Sequence, residues 1–217
     1  LFILSKGHAM EAYYAVLCAK GFLDLEDVKA RFSKFDSPYI GHPHNTLPGI
    51  EMNSGSLGHG LPVAVGMALA CKRDGKKNRV YVVTGDGELA EGSNWEAFMS
   101  GAMYGLDNLC CIIDRNHLQI SGSTEDVMAL DDLKNKVSAF NWNVIVVKDG
   151  NDLDEIDAAF EQAKAFKGKP TCIISNSVKG KGSSIMENKA QWHHKLPSEE
   201  ELKQICHDLE AKREELL

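Results

Sequence analysis

The chain of 217 residues carries 24 Lys and Arg against 31 Asp and Glu, a formal net charge of −7, with 43% hydrophobic and 25% charged residues. That balance suits a folded domain with a real core and excludes a disordered or fibrous chain, and no stretch reaches the roughly 20 apolar residues of a membrane span. An acidic chain without a Lys/Arg block argues against nucleic acid as a partner, while leaving room for a local positive pocket around a small phosphate.

In chain order, Leu1-Phe2-Ile3-Leu4 opens without Met or a signal-like apolar region and reads as a strand or loop entered midway, so an upstream N-terminal segment is expected. Residues 35–60 are rich in Gly and His, turn at Pro43 and Pro48, and show little periodicity; a loop of that length inside a compact domain points to function. Apolar, β-rich runs at 80–84, 109–113, 144–147 and 171–175 predict strands. Between the first two, Trp95, Phe98, Met99, Ala102 and Met103 mark one face of a helix expected to pack on the sheet. Asp152 with Glu155 forms a capping box ahead of a face made by Leu153, Ile156, Phe160 and Ala163. Ser198 with Glu201 caps a last helix that should bury Leu202, Ile205, Cys206 and Leu209.

Continuous strands separated by helices predict an α/β fold, a mostly parallel sheet with helices on both faces. The simplest division is one domain, 1–217, since no linker or repeat divides the chain. The cysteines at 18, 71, 110, 111, 172 and 206 include no C-x-x-C pair; they read as reduced, mostly buried thiols, which suits a cytoplasmic protein. Ligands of such a sheet bind beyond the carboxyl ends of its strands. There the sequence places Gly85-Asp86-Gly87, Asp114-Arg115-Asn116-His117 and Lys179-Gly180-Lys181-Gly182. If the first two strands are neighbours, Asp86 and Asn116 start adjacent loops, where a carboxylate and an amide oxygen can share a hard divalent cation that bridges to a diphosphate. The bland reading is an Asp-Gly turn and an Asn in a left-handed bend. Lys179 and Lys181 read most simply as solvated loop charges, with a contribution to phosphate attraction as the alternative. Histidines preceded by Gly at 7–8, 41–42 and 58–59 suit backbone that approaches a ligand closely.

Gly85-Asp86-Gly87-Glu88-Leu89-Ala90-Glu91-Gly92 followed by Asp114-Arg115-Asn116 resembles the thiamine diphosphate motif. Leu4-Ser5-Lys6-Gly7-His8-Ala9, Gly41-His42-Pro43, Gly55-Ser56-Leu57-Gly58-His59-Gly60 and Lys179-Gly180-Lys181-Gly182 resemble transketolase specifically. The resemblance spans essentially the whole chain and concerns the diphosphate-binding domain alone. It implies the N-terminal subunit of a split transketolase, which moves a two-carbon ketol unit from a ketose phosphate to an aldose phosphate and needs a separate C-terminal subunit carrying the pyrimidine domain. Self-association of that pair, thiamine diphosphate and Mg2+ (or Ca2+) are implied as well. Residue by residue, Asp86, Asn116 and the Leu118 carbonyl are expected on the metal. His8, Gly55, Leu57, Gly85, Asp86, Gly87, Glu91 and Asn116 are expected around the cofactor, with His8 and Gly87 at the diphosphate and Glu91 near the junction of the catalytic halves. His42 is expected at the donor sugar, and His193, or His194 in the alternative register, is the third catalytic histidine. Other thiamine diphosphate enzymes share Gly-Asp-Gly with a later Asn but not this set of Gly-His segments. A noncatalytic diphosphate-binding module is a further alternative. A plain nucleotide-binding domain is disfavoured by the absence of a G-x-G-x-x-G or P-loop signature.

Overall fold

Leu109, Cys110, Cys111, Ile112 and Ile113 are all buried, the pattern of a strand covered on both faces. They lie in the middle strand of a five-stranded sheet in a computed structural model that describes the backbone of residues 1–216 and the side chains of residues 1–214. In chain order, β1 (Phe2–Leu4) passes through a 3₁₀ turn at Gly7–Ala9 into α1 (Met10–Ala19) and α2 (Leu25–Arg31). After a long loop come α3 (Gly60–Arg73), β2 (Val80–Gly85), a 3₁₀ turn at Gly87–Ala90, α4 (Gly92–Met103) and β3 (Leu109–Arg115). A small hairpin of β4 (Leu118–Gln119) and β5 (Gly122–Ser123) precedes α5 (Thr124–Val127), α6 (Leu133–Ala139), β6 (Asn143–Val147) and α7 (Leu153–Ala165). The chain continues through β7 (Thr171–Asn176), a 3₁₀ turn at Ala190–His193 and α8 (Glu199–Leu216).

The large sheet runs β1-β2-β3-β7-β6 with every neighbouring pair parallel. All four expected strands form, and the opening stretch supplies β1 at one edge. On one face, Leu61, Ala64, Phe98 and Trp142 pack against Val82 and Ile113. On the other, Ala159 and Ala163 of α7 cover Cys110, Ile112 and Ile173, while Met10 and Tyr14 of α1 lie in a cluster with Leu4. Helices therefore cover both faces, as the sequence pattern requires. Burial holds the Cys110 thiol up at about 12; Cys71, Cys111 and Cys172 are also buried, but Cys18 is half-buried and Cys206 exposed.

The helix faces match their expected ones in part: Phe98 is buried with Trp95 and Ala102 packed against its cluster, and Ala163 is buried with Ile156 and Phe160 packed against its own. In α4 the buried residues are Asn94, Ala97, Phe98 and Gly101, whereas Met99 and Met103 are 62% and 82% exposed. The small residues decide this orientation. A Cβ at Gly101 would lie 2.7 Å from Trp142 Cζ2, and Trp142 Nε1 donates to the Phe98 carbonyl at 2.8 Å, so the indole packs beside Phe98 in the space that Gly101 leaves. In α7, Asp152 caps as expected by accepting from the N–H groups of Asp154 and Glu155. Glu155 turns to the preceding loop and accepts from Lys148 N and Asp149 N. Leu153 is exposed, and Ala159 is buried beside the expected Ala163. The Ser198–Glu201 capping box forms in full, yet Leu202, Cys206 and Leu209 of α8 are exposed and Ile205 is only half-buried. This helix lies outside both sheet layers, held through Asp208, which accepts from Ser184 N and Oγ at 2.7 Å each.

Phe98 is fully buried and its ring meets that of Trp142 edge to face at 4.9 Å. Phe98→Ala should cost about 3–5 kcal/mol in equilibrium denaturation, and Met103→Ala less than about 0.5 kcal/mol. Equal losses would contradict the observed orientation of α4.

Candidate functional site

β2 and β3 stay in register to the pair Gly85 and Asp114, so the loops after them leave the sheet side by side. Asp86 N donates to the Asp114 carbonyl at 3.2 Å. The Asp86 side chain is 1% exposed. Its Oδ1 accepts from Gly87 N at 2.8 Å, and its Oδ2 from His117 N at 2.7 Å and Arg115 Nη1 at 3.1 Å. Burial raises the Asp86 pKa, and these donors work against that rise. Asn116 is fixed through both ends of its amide: Nδ2 donates to Asp114 Oδ2 at 3.1 Å, and Oδ1 accepts from Leu118 N at 3.0 Å. Burial also opposes the charge on Asp114, but Lys6, Ser177 and Asn116 outweigh it and hold this carboxyl below its ordinary value.

Glu88 fastens the loops to one another. It is 3% exposed and accepts from Ser5 Oγ, from Gly58 N at 2.9 Å and from Gly85 N at 3.0 Å. Close backbone packing accompanies these bonds: a Cβ at Gly60 would lie 2.3 Å from Ser5 Cβ. Ser54 Oγ adds a bond to the Leu4 carbonyl at 2.6 Å. The end of the long loop is thereby brought to the carboxyl ends of β1 and β2.

These loops enclose a cleft of about 470 Å³. Of the expected site residues, Gly85, Asp86, Gly87, Asn116 and Leu118 line one wall, and His8, Leu57 and His193 stand opposite or beside it. His42 and Gly55 lie behind His8. The His42 ring is 5.3 Å from that of His8, and a Cβ at Gly55, where φ is 127°, would fall 2.4 Å from His42 Cδ2. Glu91 is exposed at the start of α4 and packs its Cβ by Gly58, outside the cleft lining.

His8 Nδ1 and His193 Nε2 share a hydrogen bond of 2.8 Å. Burial, followed by Lys179 and His194, lowers the His193 pKa to about 4; burial, then His194 and His42, also lowers that of His8. Of the two adjacent histidines, His193 lines the cleft and His194 is exposed beside it. Lys179 departs from the simpler expectation of a solvated charge. It is half-buried in the cleft wall, and burial, then the nearby Lys6, lower its pKa. Lys181 remains a solvated charge facing Glu187 at 3.9 Å.

The sequence reading assigned no individual role to Ser5, Lys6, Glu88, Asp114 or Gln119. All but Gln119 fall inside or beside the quoted motifs, and motif membership was the only signal available for them. Gln119 lines the cleft, and its Oε1 is buried without a hydrogen-bond partner among the described residues. The donor set fits a hard cation and a diphosphate. Asp86, Asn116 and the Leu118 carbonyl supply oxygens suited to Mg2+ or Ca2+. Gly87 leaves room for close approach, since a Cβ there would lie 2.8 Å from Gln119 Cβ.

A family profile described as transketolase, thiamine diphosphate binding domain, matches residues 1–215. The chain is 46% identical over 215 residues to one of the subunits of the apulose-4-phosphate transketolase of Phocaeicola vulgatus, covering 99% of this chain and 76% of that protein. It is 40% identical to the 6-deoxy-6-sulfo-D-fructose transketolase subunit SqwG of Clostridium sp., covering 96% of this chain and 75% of that one. The crystal structure of Pichia stipitis transketolase in complex with sedoheptulose 7-phosphate superposes with a TM-score of 0.91 at 32% identity, covering 96% of this chain and 32% of that chain. The chain thus spans about a third of the length of such a single-chain structure.

Two outcomes follow from the site's electrostatics. The folded His193 pKa of about 4 lies below the ordinary 6.5, so the unfolded chain binds the extra proton between those values and His193's contribution to stability is lost as pH falls through that window. An NMR titration of the unliganded chain should find His193 neutral at pH 6; a midpoint near 6.5 would contradict its burial. Glu88→Gln sets an amide donor against Gly58 N, Gly85 N or Ser5 Oγ and should cost about 1–3 kcal/mol in denaturant unfolding. No loss would show that the three donors do not depend on the carboxylate.

Proposed function

The chain belongs to the transketolase family as a thiamine diphosphate-binding domain, and on that premise we propose that it is one subunit of a two-part transketolase that transfers a two-carbon ketol unit from a ketose phosphate to an aldose phosphate. The observation that carries the reading is the convergence of Asp86, Asn116 and the Leu118 carbonyl with Gly87, Lys179 and His8 around one cleft. Hard oxygen donors beside cationic and N–H groups suit a metal diphosphate.

Asp86, Asn116 and the Leu118 carbonyl would hold Mg2+, and Gly87 N–H, Lys179 and His8 the diphosphate. When bound, thiamine diphosphate supplies the carbon centre and electron sink for making and breaking the carbon–carbon bond. His193, neutral at physiological pH, can accept or donate a hydrogen bond at a substrate or cofactor oxygen without a charge change. His42, held by the Gly7 and Gly55 backbone, is proposed to bind the donor sugar's oxygen. A separate subunit with the pyrimidine domain would close the open side of the cleft, with Glu91 at the junction and two such pairs associating. Relatives named as individual transketolase subunits support this arrangement, since the chain covers about three-quarters of their length. A cytoplasmic location belongs to the same proposal, in keeping with the buried thiols.

The reading is tested by a coupled assay with a ketose phosphate and an aldose phosphate, run with and without the C-terminal partner. Activity should need both chains, and ketol transfer by this chain alone would refute the two-part assignment. Calorimetry on the assembled complex should find Mg2+-dependent thiamine diphosphate binding lost in Asp86→Ala, and unchanged affinity would remove Asp86 from the metal.

A further inference from the structure

His194 stands outside the cleft lining, yet its ring centroid is 4.8 Å from that of His8 and 4.6 Å from that of His193, and those two are 5.0 Å apart. Each pair meets edge to face, at 73°, 76° and 78°. One ligand nitrogen from each ring lies within 4.8 Å of the other two. A tetrahedral ion with metal–nitrogen bonds of about 2.0–2.1 Å would hold three imidazoles at centroid separations of about 5 Å, so the rings already stand near the spacing such an ion requires.

We propose that His8, His193 and His194 form a second cation site, selective for a borderline transition ion such as Zn2+ over Mg2+, whose occupation blocks the cleft. Three neutral nitrogen donors favour Zn2+ or Co2+ and offer a hard cation little, so this site does not duplicate the oxygen set at Asp86 and Asn116. His8 and His194 are exposed and His193 is half-buried, which leaves a path for the ion and a fourth coordination position open to water. Binding replaces the 2.8 Å hydrogen bond between His8 and His193 with two metal–nitrogen bonds. It also ties the Ala190–His193 turn to the Gly7–Ala9 turn. Both cleft histidines are then withdrawn from cofactor and substrate. This inhibitory consequence rests on the function proposed above, whereas ion binding does not.

The test is a Co2+ titration of the untagged full chain, followed through the visible ligand-field absorption of low-coordinate Co2+. One saturable equivalent is expected, displaced by Zn2+ and not by excess Mg2+. His194→Ala should weaken binding by at least about 10-fold, while His207→Ala, at an exposed histidine elsewhere, should bind like wild type. A spectrum that stays that of aqueous Co2+, or equal affinity in His194→Ala, would overturn the site. In the assembled enzyme at saturating Mg2+, Zn2+ should inhibit the wild type at concentrations at least about 10-fold lower than His194→Ala, each measured against its own zinc-free rate. Equal sensitivity would overturn the blocking role. An assembly without ketol transfer would refute the proposed function and leave the Co2+ titration to decide the site.

Discussion

The cleft depends on one buried carboxylate. Glu88 gathers the hydroxyl of Ser5 and the backbone N–H groups of Gly58 and Gly85, three points that are remote in sequence. A carboxyl group at 3% exposure is tolerable only when its oxygens are filled by good donors, so the donors and this side chain require one another. Gly58 and Gly60 make the approach possible by presenting no side chain where Glu91, Ser93 and Ser5 press in. The outcome is that Leu57, from a loop with no regular structure of its own, reaches the same cleft as Asp86 at the end of a strand.

Around that tie the charges are distributed in pairs. Lys6 meets Asp114, and Arg115 meets both Asp86 and Glu125. The acidic groups at the strand ends are thus compensated, and the half-buried Lys179 gives the cleft its anion-accepting side. An acidic protein can in this way present a locally cationic pocket, because at these distances the nearest groups outweigh the net charge.

The sheet was legible because its strands are buried on both faces and leave continuous runs of Val, Ile, Leu and Cys. The neighbouring ends of β2 and β3 then followed from parallel pairing, which carried Asp86 and Asn116 into one site. Helix faces were less legible. Periodicity weighs large apolar residues, so it favoured Met99, Met103 and Leu153 and passed over Ala97, Gly101 and Ala159, buried positions where small side chains let a partner approach. α3 gave little contrast for the same reason, with Ala64 and Ala68 among its buried residues. The burial of Lys179 had no local signal, since the groups near it, Lys6, Asp86, Asp114 and His193, come from separate parts of the chain. The two-histidine ambiguity at 193 and 194 likewise needed the backbone path to resolve, since both positions are imidazoles and only one faces the cleft.

The proposed function requires the ends of β2 and β3 to hold a cation in direct contact with a diphosphate. Electron–nuclear double resonance on the assembled complex, with Mn2+ in place of Mg2+ and thiamine diphosphate bound, measures this contact as phosphorus hyperfine coupling. The account predicts strong coupling from the diphosphate, lost when Asp86 and Asn116 are both replaced by Ala. Bound Mn2+ without phosphorus coupling, or coupling that survives the double substitution, would contradict it.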